Sequence, residues 1–246
     1  MAVTFYFSLD SYSLVWHNVT CQGLFEGYIV AVSTAFQRSK GKLYAETFRC
    51  PGGALCLDFC NSGGGTRRAS GTEWIAGFPD LIDWLEAAEA LTGSQAARLR
   101  QAAAASPRAA AQVWGRAIKF REALFRVLNA KAEGGKVARE DLSDIEAEHA
   151  RAVAFARLSW TGEAYRWSLD ASAAALDAAM QPLVESAVSL LTSAKLERLR
   201  RCGKSTCYWL FIDETRNHSR RWCEMASCGN VVKVRRHREK ARSAAH

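Results

Sequence analysis

Two close cysteine pairs, Cys202-Gly-Lys-Ser-Thr-Cys207 and Cys223-Glu-Met-Ala-Ser-Cys228, decide how the C-terminal part of this chain folds. Each pair has the spacing C-x4-C, and fifteen residues separate the two pairs. Four thiolates brought together in this way form the closed tetrahedral set that Zn²⁺ prefers in structural sites. The spacing therefore predicts one structural zinc ion held by Cys202, Cys207, Cys223 and Cys228.

The segment between and after the pairs has the pattern of a small ββα module. Residues 208–212 are typical of a strand, residues 213–219 of a turn, and residues 220–223 of the returning partner strand. Gly229 is expected to permit a sharp bend beside the metal, and Asn230 to cap a helix that begins at Val231. Fewer than fifty residues bury too little apolar surface to be stable alone, so zinc is expected to supply about 10 kcal/mol.

The positive charge of the chain is concentrated in this module. Residues 195–242 carry 14 Lys and Arg against 5 Asp and Glu, a balance of +9, whereas the rest of the chain carries 19 against 20. Such an asymmetry favours a polyanionic partner, most often nucleic acid. The candidate phosphate contacts are Arg220, Arg221, Lys233, Arg235, Arg236, Arg238, Lys240 and Arg242.

The preceding part of the chain has the periodicity of a mainly helical domain. Helices are predicted from Pro79 to Gly93, over residues 95–105 with Ser94 as cap, from Ser106-Pro107 to Gly134-Gly135, and over 139–153. Residues 155–169 alternate around Thr161-Gly162 as in a β-hairpin. A last helix is expected over 173–199, bent or restarted near Pro182.

One short run before these helices indicates a strand. Leu55-Cys56-Leu57-Asp58-Phe59-Cys60-Asn61-Ser62 is apolar and ends at three glycines. The expected fold is therefore α+β: a mainly α-helical domain with a few short strands over residues 46–195, then the zinc-binding ββα module over 196–242. Residues 1–45 form an N-terminal extension of uncertain structure.

Composition excludes several classes of protein. The hydrophobic fraction of 49% and the charged fraction of 24% are ordinary for a globular protein. No run is long and apolar enough for a membrane helix, and the first basic residue is Arg38, unlike a secretory signal. We expect a cytoplasmic protein with no membrane partner, in which reduced cysteines bind metal rather than form disulfides.

The module resembles the CGNR zinc-finger family. The resemblance rests on Cys202, on Cys207-Tyr-Trp-Leu-Phe-Ile-Asp213, on Asn217-His-Ser-Arg-Arg-Trp-Cys223 and on Cys228-Gly-Asn230. The stretch before it is similar to the ABATE domain, whose opening pattern is recognised in residues 57–62. The resemblance implies zinc on the four cysteines, a role as a stress-linked transcription regulator, and no enzymatic activity. Val231 stands where the family has arginine.

The residues are compatible with three functions. The first is a DNA-binding regulator, in which the helical domain senses an unknown small-molecule effector or mediates homo-oligomer formation. The second is an RNA-binding or protein-docking zinc module, with Tyr208 or Trp222 stacking on bases. The third is an enzyme whose pocket includes Asp58 and Asn61, although such residues more often bind backbone amides. A second metal site from Cys50, Cys56 and Cys60 is disfavoured, because buried cysteine is commonly a small apolar residue.

Overall fold

The computed structural model describes residues 51–63, 73–170, 173 and 175–243, so the predicted N-terminal extension over 1–45 lies outside the described residues. Within them, seven α-helices accompany two small antiparallel sheets. The helices are α1 Leu55–Ser62, α2 Phe78–Ala87, α3 Gly93–Ala105, α4 Pro107–Glu133, α5 Arg139–Ala152, α6 Gln181–Leu191 and α7 Asn230–Ser243. The strands are β1 Ala156–Trp160, β2 Tyr165–Leu169, β3 Leu199–Arg201 and β4 Leu210–Ile212. The predicted α+β class, mainly helical with a ββα module at the C-terminal end, is confirmed.

Helix α4 is the centre of the helical domain. Its buried residues recur at helical spacing along 27 residues, which gives a rod about 40 Å long. Pro107 lies in its first turn, and Gly134 ends it in the left-handed conformation with φ of 71°. Helices α1, α2, α3 and α5 all pack against α4, and so does β3. The sequence signals for this helix are therefore confirmed at both ends.

Helices α2 and α3 begin close to their predicted positions, but α2 ends at Ala87 rather than at Gly93, which is instead the first residue of α3. Pro79 occupies the first turn of α2, as expected. The cap of α3 differs from the prediction, because Thr92 rather than Ser94 accepts the bond from the Gln95 amide. The Gln95 side chain in turn accepts from the Thr92 amide at 2.8 Å, so the two residues form a reciprocal capping box.

The run Leu55–Ser62, predicted to be a strand, is helix α1. All eight of its residues are buried, and α1 packs against α4, α6 and β4. A helix surrounded on every side has no polar face, so its sequence shows neither the 3.6-residue nor the two-residue period. The short apolar run was therefore ambiguous, and the strand prediction was wrong.

The last predicted helix is shorter than expected. Residues 176–180 form a 3₁₀ turn, α6 covers Gln181–Leu191 with Pro182 in its first turn, and residues 194–198 form a second 3₁₀ turn. Leu199 is already in strand β3. The restart near Pro182 is confirmed. The hairpin before it is confirmed too, since β1 and β2 pair with Trp160 opposite Tyr165.

The strand pairing of the module differs from the prediction. Strand β4 pairs with β3, so that Leu199 faces Ile212 and Arg201 faces Leu210. The stretch around Arg220 to Cys223, predicted as the partner, is irregular. The paired residues of β3 therefore end at Arg201, directly before the first cysteine. Leu199 was predicted to lie in the preceding helix, but it is the first residue of β3, the strand that pairs with β4.

A buried ion pair joins α4 to the segment before α2. The Arg121 side chain is about 1% exposed and donates to both carboxylate oxygens of Glu73, at 2.8 and 2.6 Å. It also donates to the Ser62 hydroxyl at 3.2 Å, and its guanidinium lies 5.8 Å from the Phe59 ring centre. Although burial alone would raise the pKa of Glu73, Arg121 outweighs it and lowers that pKa. The pair is ionised and holds the segment before α2 on α4, while the contacts of Arg121 with Ser62 and Phe59 hold the end of α1.

Candidate metal centre and basic finger

The four cysteines of the two C-x4-C pairs meet at one point. Their sulfur atoms all lie within 4.8 Å of one another, and all four residues are buried and unbridged. The Sγ atoms of Cys207 and Cys223 are 3.8 Å apart, and those of Cys223 and Cys228 are 3.6 Å apart. A tetrahedron with Zn–S bonds of about 2.3 Å has S···S edges of roughly 3.8 Å. The sulfur positions therefore fit a zinc ion.

Four buried thiols this close cannot all carry charge by themselves. Hydrogen bonds from Cys207, Cys223 and Cys228 lower the pKa of Cys202, so negative charge collects there. Hydrogen bonds with the other three thiols, together with burial, raise the pKa of Cys223. Coordination to Zn²⁺ deprotonates thiols outright, so a dication is the partner that allows all four to ionise. The chemistry of the donor set thus agrees with its geometry.

Backbone hydrogen bonds around the cysteines fix the two sulfur pairs. The amide of Cys202 donates to the Trp209 carbonyl at 2.9 Å, which continues the β3–β4 pairing into the first pair. The amide of Cys207 donates to the Lys204 carbonyl at 2.8 Å and closes the turn. In the second pair the amide of Cys228 donates to the Glu224 carbonyl at 3.1 Å. Each pair is therefore held by its own turn.

Trp222 packs against the cysteine cluster and explains two glycines, Gly203 after Cys202 and Gly229 after Cys228. A Cβ on Gly203 would lie 3.1 Å from the Trp222 ring, and a Cβ on Gly229 would lie 3.0 Å from it and 2.3 Å from the Met225 sulfur. Gly229 was expected to permit a sharp backbone bend beside the metal, but it has no positive φ, unlike Gly53, Gly134 and Gly162 among the described glycines. Its role is to leave room for the tryptophan.

Asp213 organises the loop between β4 and Cys223 and was missed as a functional residue. It is fully buried and accepts bonds from the Thr215 amide at 3.0 Å, the Thr215 hydroxyl at 2.6 Å and the Arg220 amide at 2.9 Å. Burial alone would raise its pKa, but these hydrogen bonds lower the pKa of Asp213. The Asp-x-Thr spacing is the sequence signal of such a turn.

Arg220 has its donors engaged inside the protein. Its guanidinium donates to the carbonyls of Pro51 at 2.9 Å, Trp222 at 3.1 Å and Cys223 at 2.5 Å, and lies 4.3 Å from the Phe211 ring centre. The side chain thus ties residue 51, before α1, to the loop that carries the third cysteine. Its predicted contact with nucleic acid stays a prediction, and the structure gives it a bracing role that the sequence analysis did not foresee.

Asn61 attaches the finger to the helical domain. Its side-chain amide donates to the Leu210 carbonyl at 3.0 Å and accepts from the Leu210 amide at 2.8 Å, as a neighbouring strand would. Beside it, Asp58 accepts from the Gly52 amide at 3.0 Å, and the Gly52 carbonyl accepts from the Ile212 amide at 2.8 Å. We call these contacts of residues 51–62 with β4 the latch.

The latch also shows where the two predicted pocket residues lie. Asp58 and Asn61 are about 2% exposed, and both bind backbone groups in the packed contact between α1 and β4. The described structure has a cavity between α6 and the finger, lined by residues such as Leu55, Leu190 and Ile212. Neither Asp58 nor Asn61 lines it. Their role in a pocket stays a prediction, and the contacts observed here are structural.

Replacing Asn61 with alanine is expected to lower the free energy of unfolding by about 2 to 4 kcal/mol, because two buried backbone groups of Leu210 lose their partners. Hydrogen exchange at the Leu210 amide should speed up in the same variant. Asn217→Ala, in the exposed loop after β4, is the matched control and should stay within about 0.5 kcal/mol of the parent. Equal effects in the two variants would show that the latch contributes nothing.

The predicted basic residues lie on two parts of the finger. Arg221 is exposed, and its guanidinium lies 5.5 Å from the Trp222 ring centre. Lys233, Arg235 and Arg238 are exposed on α7. The backbone of α7 also carries Arg236, Lys240 and Arg242, whose side chains lie outside the described part of the structure.

The position where the family has arginine is exposed in this chain. Val231 and Val234 are about half exposed, at 51% and 49%, and they lie one helical turn apart in α7. The valines therefore leave an apolar strip among the basic residues. Nothing in the structure explains why valine replaces arginine there.

The described helices lack the properties of a membrane span. Across the ranges 51–63, 73–170 and 175–243, no helix combines the length and apolar character needed to cross a bilayer. The long helix α4, the best candidate by length, carries exposed Arg, Lys and Glu along one side.

Comparison with known families gives two adjoining matches that confirm the resemblance seen in the sequence. Residues 53–194 match ABATE, described as "Putative stress-induced transcription regulator", and residues 198–241 match the CGNR zinc finger. No curated protein matches the chain. Because the first match alone covers more than half of the 246 residues, this chain belongs to the ABATE family and carries a CGNR zinc finger behind its helical domain.

Proposed function

We propose that this protein is a cytoplasmic transcription regulator that binds duplex DNA through its zinc finger. The observation that carries the proposal is helix α7, which begins two residues after Cys228 and presents exposed Lys233, Arg235 and Arg238. Together with the +9 balance of residues 195–242, this surface suits a phosphate backbone. Arg221 is exposed beside the same cysteine cluster and extends the basic surface.

The zinc ion has a structural role in this proposal. One ion would be held by Cys202, Cys207, Cys223 and Cys228, and four thiolates complete a tetrahedral shell with no open position for substrate or water. The chain's own residues do the binding: the two turns orient the sulfurs, and Trp222 and Phe211 exclude water from them. The closed shell and the regulator and zinc-finger families support a non-enzymatic role.

The helical domain is proposed to regulate the finger, by sensing an effector or by forming a homo-oligomer. The latch supports this role, because residues 51–62 bind β4 directly. A change in the helical domain near α1 would therefore reach the strand that precedes the metal loop. Reduced thiols at the cluster agree with a cytoplasmic location.

Replacing Arg235 and Arg238 together by alanine is expected to weaken binding to duplex DNA about tenfold or more at low salt. Each lost phosphate contact should also lower the slope of log affinity against log salt by about 1. Fluorescence anisotropy of a labelled duplex at several salt concentrations measures both. The matched control removes two exposed basic residues from the helical domain, Arg108→Ala with Lys136→Ala, and should bind like the parent.

RNA is the second candidate polyanion, because Tyr208 and Trp222 are aromatic residues of a basic surface. Both are half-buried: the Arg201 guanidinium lies 5.1 Å from the Tyr208 ring centre, and Trp222 packs against the two glycines. These contacts favour a core role over stacking on bases. Competition between duplex DNA and a structured RNA of equal length distinguishes the two candidates. Preferred binding to RNA would replace the DNA proposal, and binding to neither would exclude both.

A further inference from the structure

We propose that the cavity between α6 and the finger binds a small apolar amine. The cavity has a volume of about 220 Å³, somewhat below the ~300–1,000 Å³ of pockets for drug-sized ligands. Its walls come from α6, the N-terminal end of α1, the end of β2, the loop after α2 and Ile212 of β4. Five separate elements therefore converge on one small space.

The floor of the cavity is apolar and suits a hydrocarbon body. Leu55, Leu169, Leu190 and Ile212 line it, and each is a buried residue of the main hydrophobic core. The Trp167 ring, about half exposed, stands at the side of β2 and offers a large flat surface. A small aromatic or branched aliphatic group would replace water against these side chains, which is the main source of affinity in such sites.

The polar lining favours a cation over an anion. Glu89 and Glu185 contribute two carboxylates, whereas Lys195 contributes a single ammonium, whose charge is already paired with Glu214 at 3.3 Å. Glu185 is fixed by a hydrogen bond from Gln181 at 2.6 Å, so its position is set before any ligand arrives. A ligand ammonium beside a positioned carboxylate and an aromatic ring gains a charge-assisted hydrogen bond and a cation–π contact.

Hydroxyl groups complete the lining along α6. Ser186 and Ser189 lie one turn apart on this helix, and Ser193 lies two residues beyond its end. Ser186 accepts from the Cys56 amide at 3.0 Å and also hydrogen-bonds the Cys56 thiol, and Ser193 donates to the Leu190 carbonyl at 3.0 Å. Hydroxyl oxygens engaged in this way keep a lone pair that can accept a bond from a ligand ammonium. Hydroxyls of this kind hydrogen-bond a polar ligand group in several orientations. They make the wall adaptable without adding charge.

The regulatory consequence rests on the proposed function, but the binding site itself does not. Gly53, which is left-handed with φ of 80°, and Ile212 both line the cavity, and Ile212 binds Gly52 in the latch. A bound amine would therefore contact both sides of the joint between the helical domain and the finger. If the amine binds more tightly when the latch is closed than when it is open, or the reverse, its binding would strengthen or weaken the latch accordingly.

The test uses three probes of the same shape: 2-phenylethylamine, 2-phenylethanol and phenylacetate. Titration calorimetry and thermal unfolding are run on the full zinc-loaded chain without DNA, so a failure of DNA binding cannot affect the result. The amine should bind and raise the midpoint, the alcohol should bind about tenfold more weakly, and phenylacetate should not bind.

Two variants test whether the probes bind in the cavity. Glu185→Gln keeps the side-chain shape and should weaken the amine about tenfold while leaving the alcohol unchanged. Ser189→Phe fills the space and should abolish binding of both. Glu163→Gln, on the exposed turn between β1 and β2, is the control and should bind as the parent does. The proposal is overturned if the amine does not bind, if phenylacetate binds as well, or if Ser189→Phe changes nothing.

Discussion

Cys207→Ser is expected to release the zinc ion and unfold the finger, with loss of duplex DNA binding. The sulfur of Cys207 lies 3.8 Å from that of Cys223 inside a buried set of four, so its loss opens the metal shell. Structural zinc contributes on the order of 10 kcal/mol in small modules, far more than the small Trp222 and Phe211 core can replace. Metal analysis should fall from about one zinc per chain to near none.

The helical domain shows whether the loss of structure in Cys207→Ser is confined to the finger. Among the described residues, the finger contributes only Leu199, Leu210 and Ile212 to the buried residues of the main core around α4, so the helical circular dichroism should persist while the finger is lost. Thr206→Ser, next to the cysteine and exposed, is the matched control and should keep its zinc. A Cys207→Ser protein that retains zinc and binds DNA as the parent does would rule out a structural metal at this site.

Glu73→Gln is expected to cost about 3 to 5 kcal/mol of unfolding free energy. Arg121 is almost fully buried, and Glu73 provides two of its bonds at 2.8 and 2.6 Å. Removing one partner of a buried pair leaves the other charge uncompensated, which is the costly case. Glu122 accepts one bond from the same guanidinium at 2.9 Å and should limit the loss to the lower end of this range.

The pH dependence of stability follows from the same pair. Arg121 lowers the pKa of Glu73, so folding favours the ionised carboxylate. The stabilisation is then fully present above the ordinary Glu pKa of about 4.3 and is lost as pH falls below it through the lower folded-state pKa. The parent should therefore lose stability below about pH 4 more steeply than Glu73→Gln.

An exposed ion pair serves as the control for Glu73. Arg139 and Glu146 form two hydrogen bonds at 2.8 and 2.9 Å, yet their side chains are 71% and 58% exposed. Glu146→Gln should change stability by less than about 0.5 kcal/mol, because solvent screens such pairs. Denaturant unfolding of both variants gives the comparison, and a loss at Glu73 no larger than at Glu146 would contradict the buried pair's role.

The sequence predicted the parts of this fold that have a solvent-facing side. Helices such as α2 and α4 show apolar stripes with Pro at the start, and Gly134 marks the end of α4. The β1–β2 hairpin is marked by its Thr161-Gly162 turn, in which Gly162 has a φ of 96°, and both strands are largely exposed. The four cysteines were found by their spacing alone, since coordination geometry limits which spacings can close on one ion.

The remaining features depend on contacts between distant parts of the chain. Helix α1 is buried on every side, so its run of apolar residues carries no period that distinguishes helix from strand. Asn61 lies 149 residues from Leu210, and nothing local indicates that its side chain would complete a strand edge. The charge of Arg220 suggests a phosphate contact, whereas its hydrogen bonds to four backbone carbonyls exist only in the folded chain.

The most direct test measures duplex DNA affinity of the full chain, first loaded with zinc and then after removal of zinc by a chelator. The account predicts about one zinc per chain, affinity that falls steeply between 50 and 200 mM salt, on the order of tenfold or more, and loss of binding with the metal. Affinity that survives zinc removal, or that does not depend on salt, would contradict the claim that a zinc-held basic helix binds the phosphate backbone.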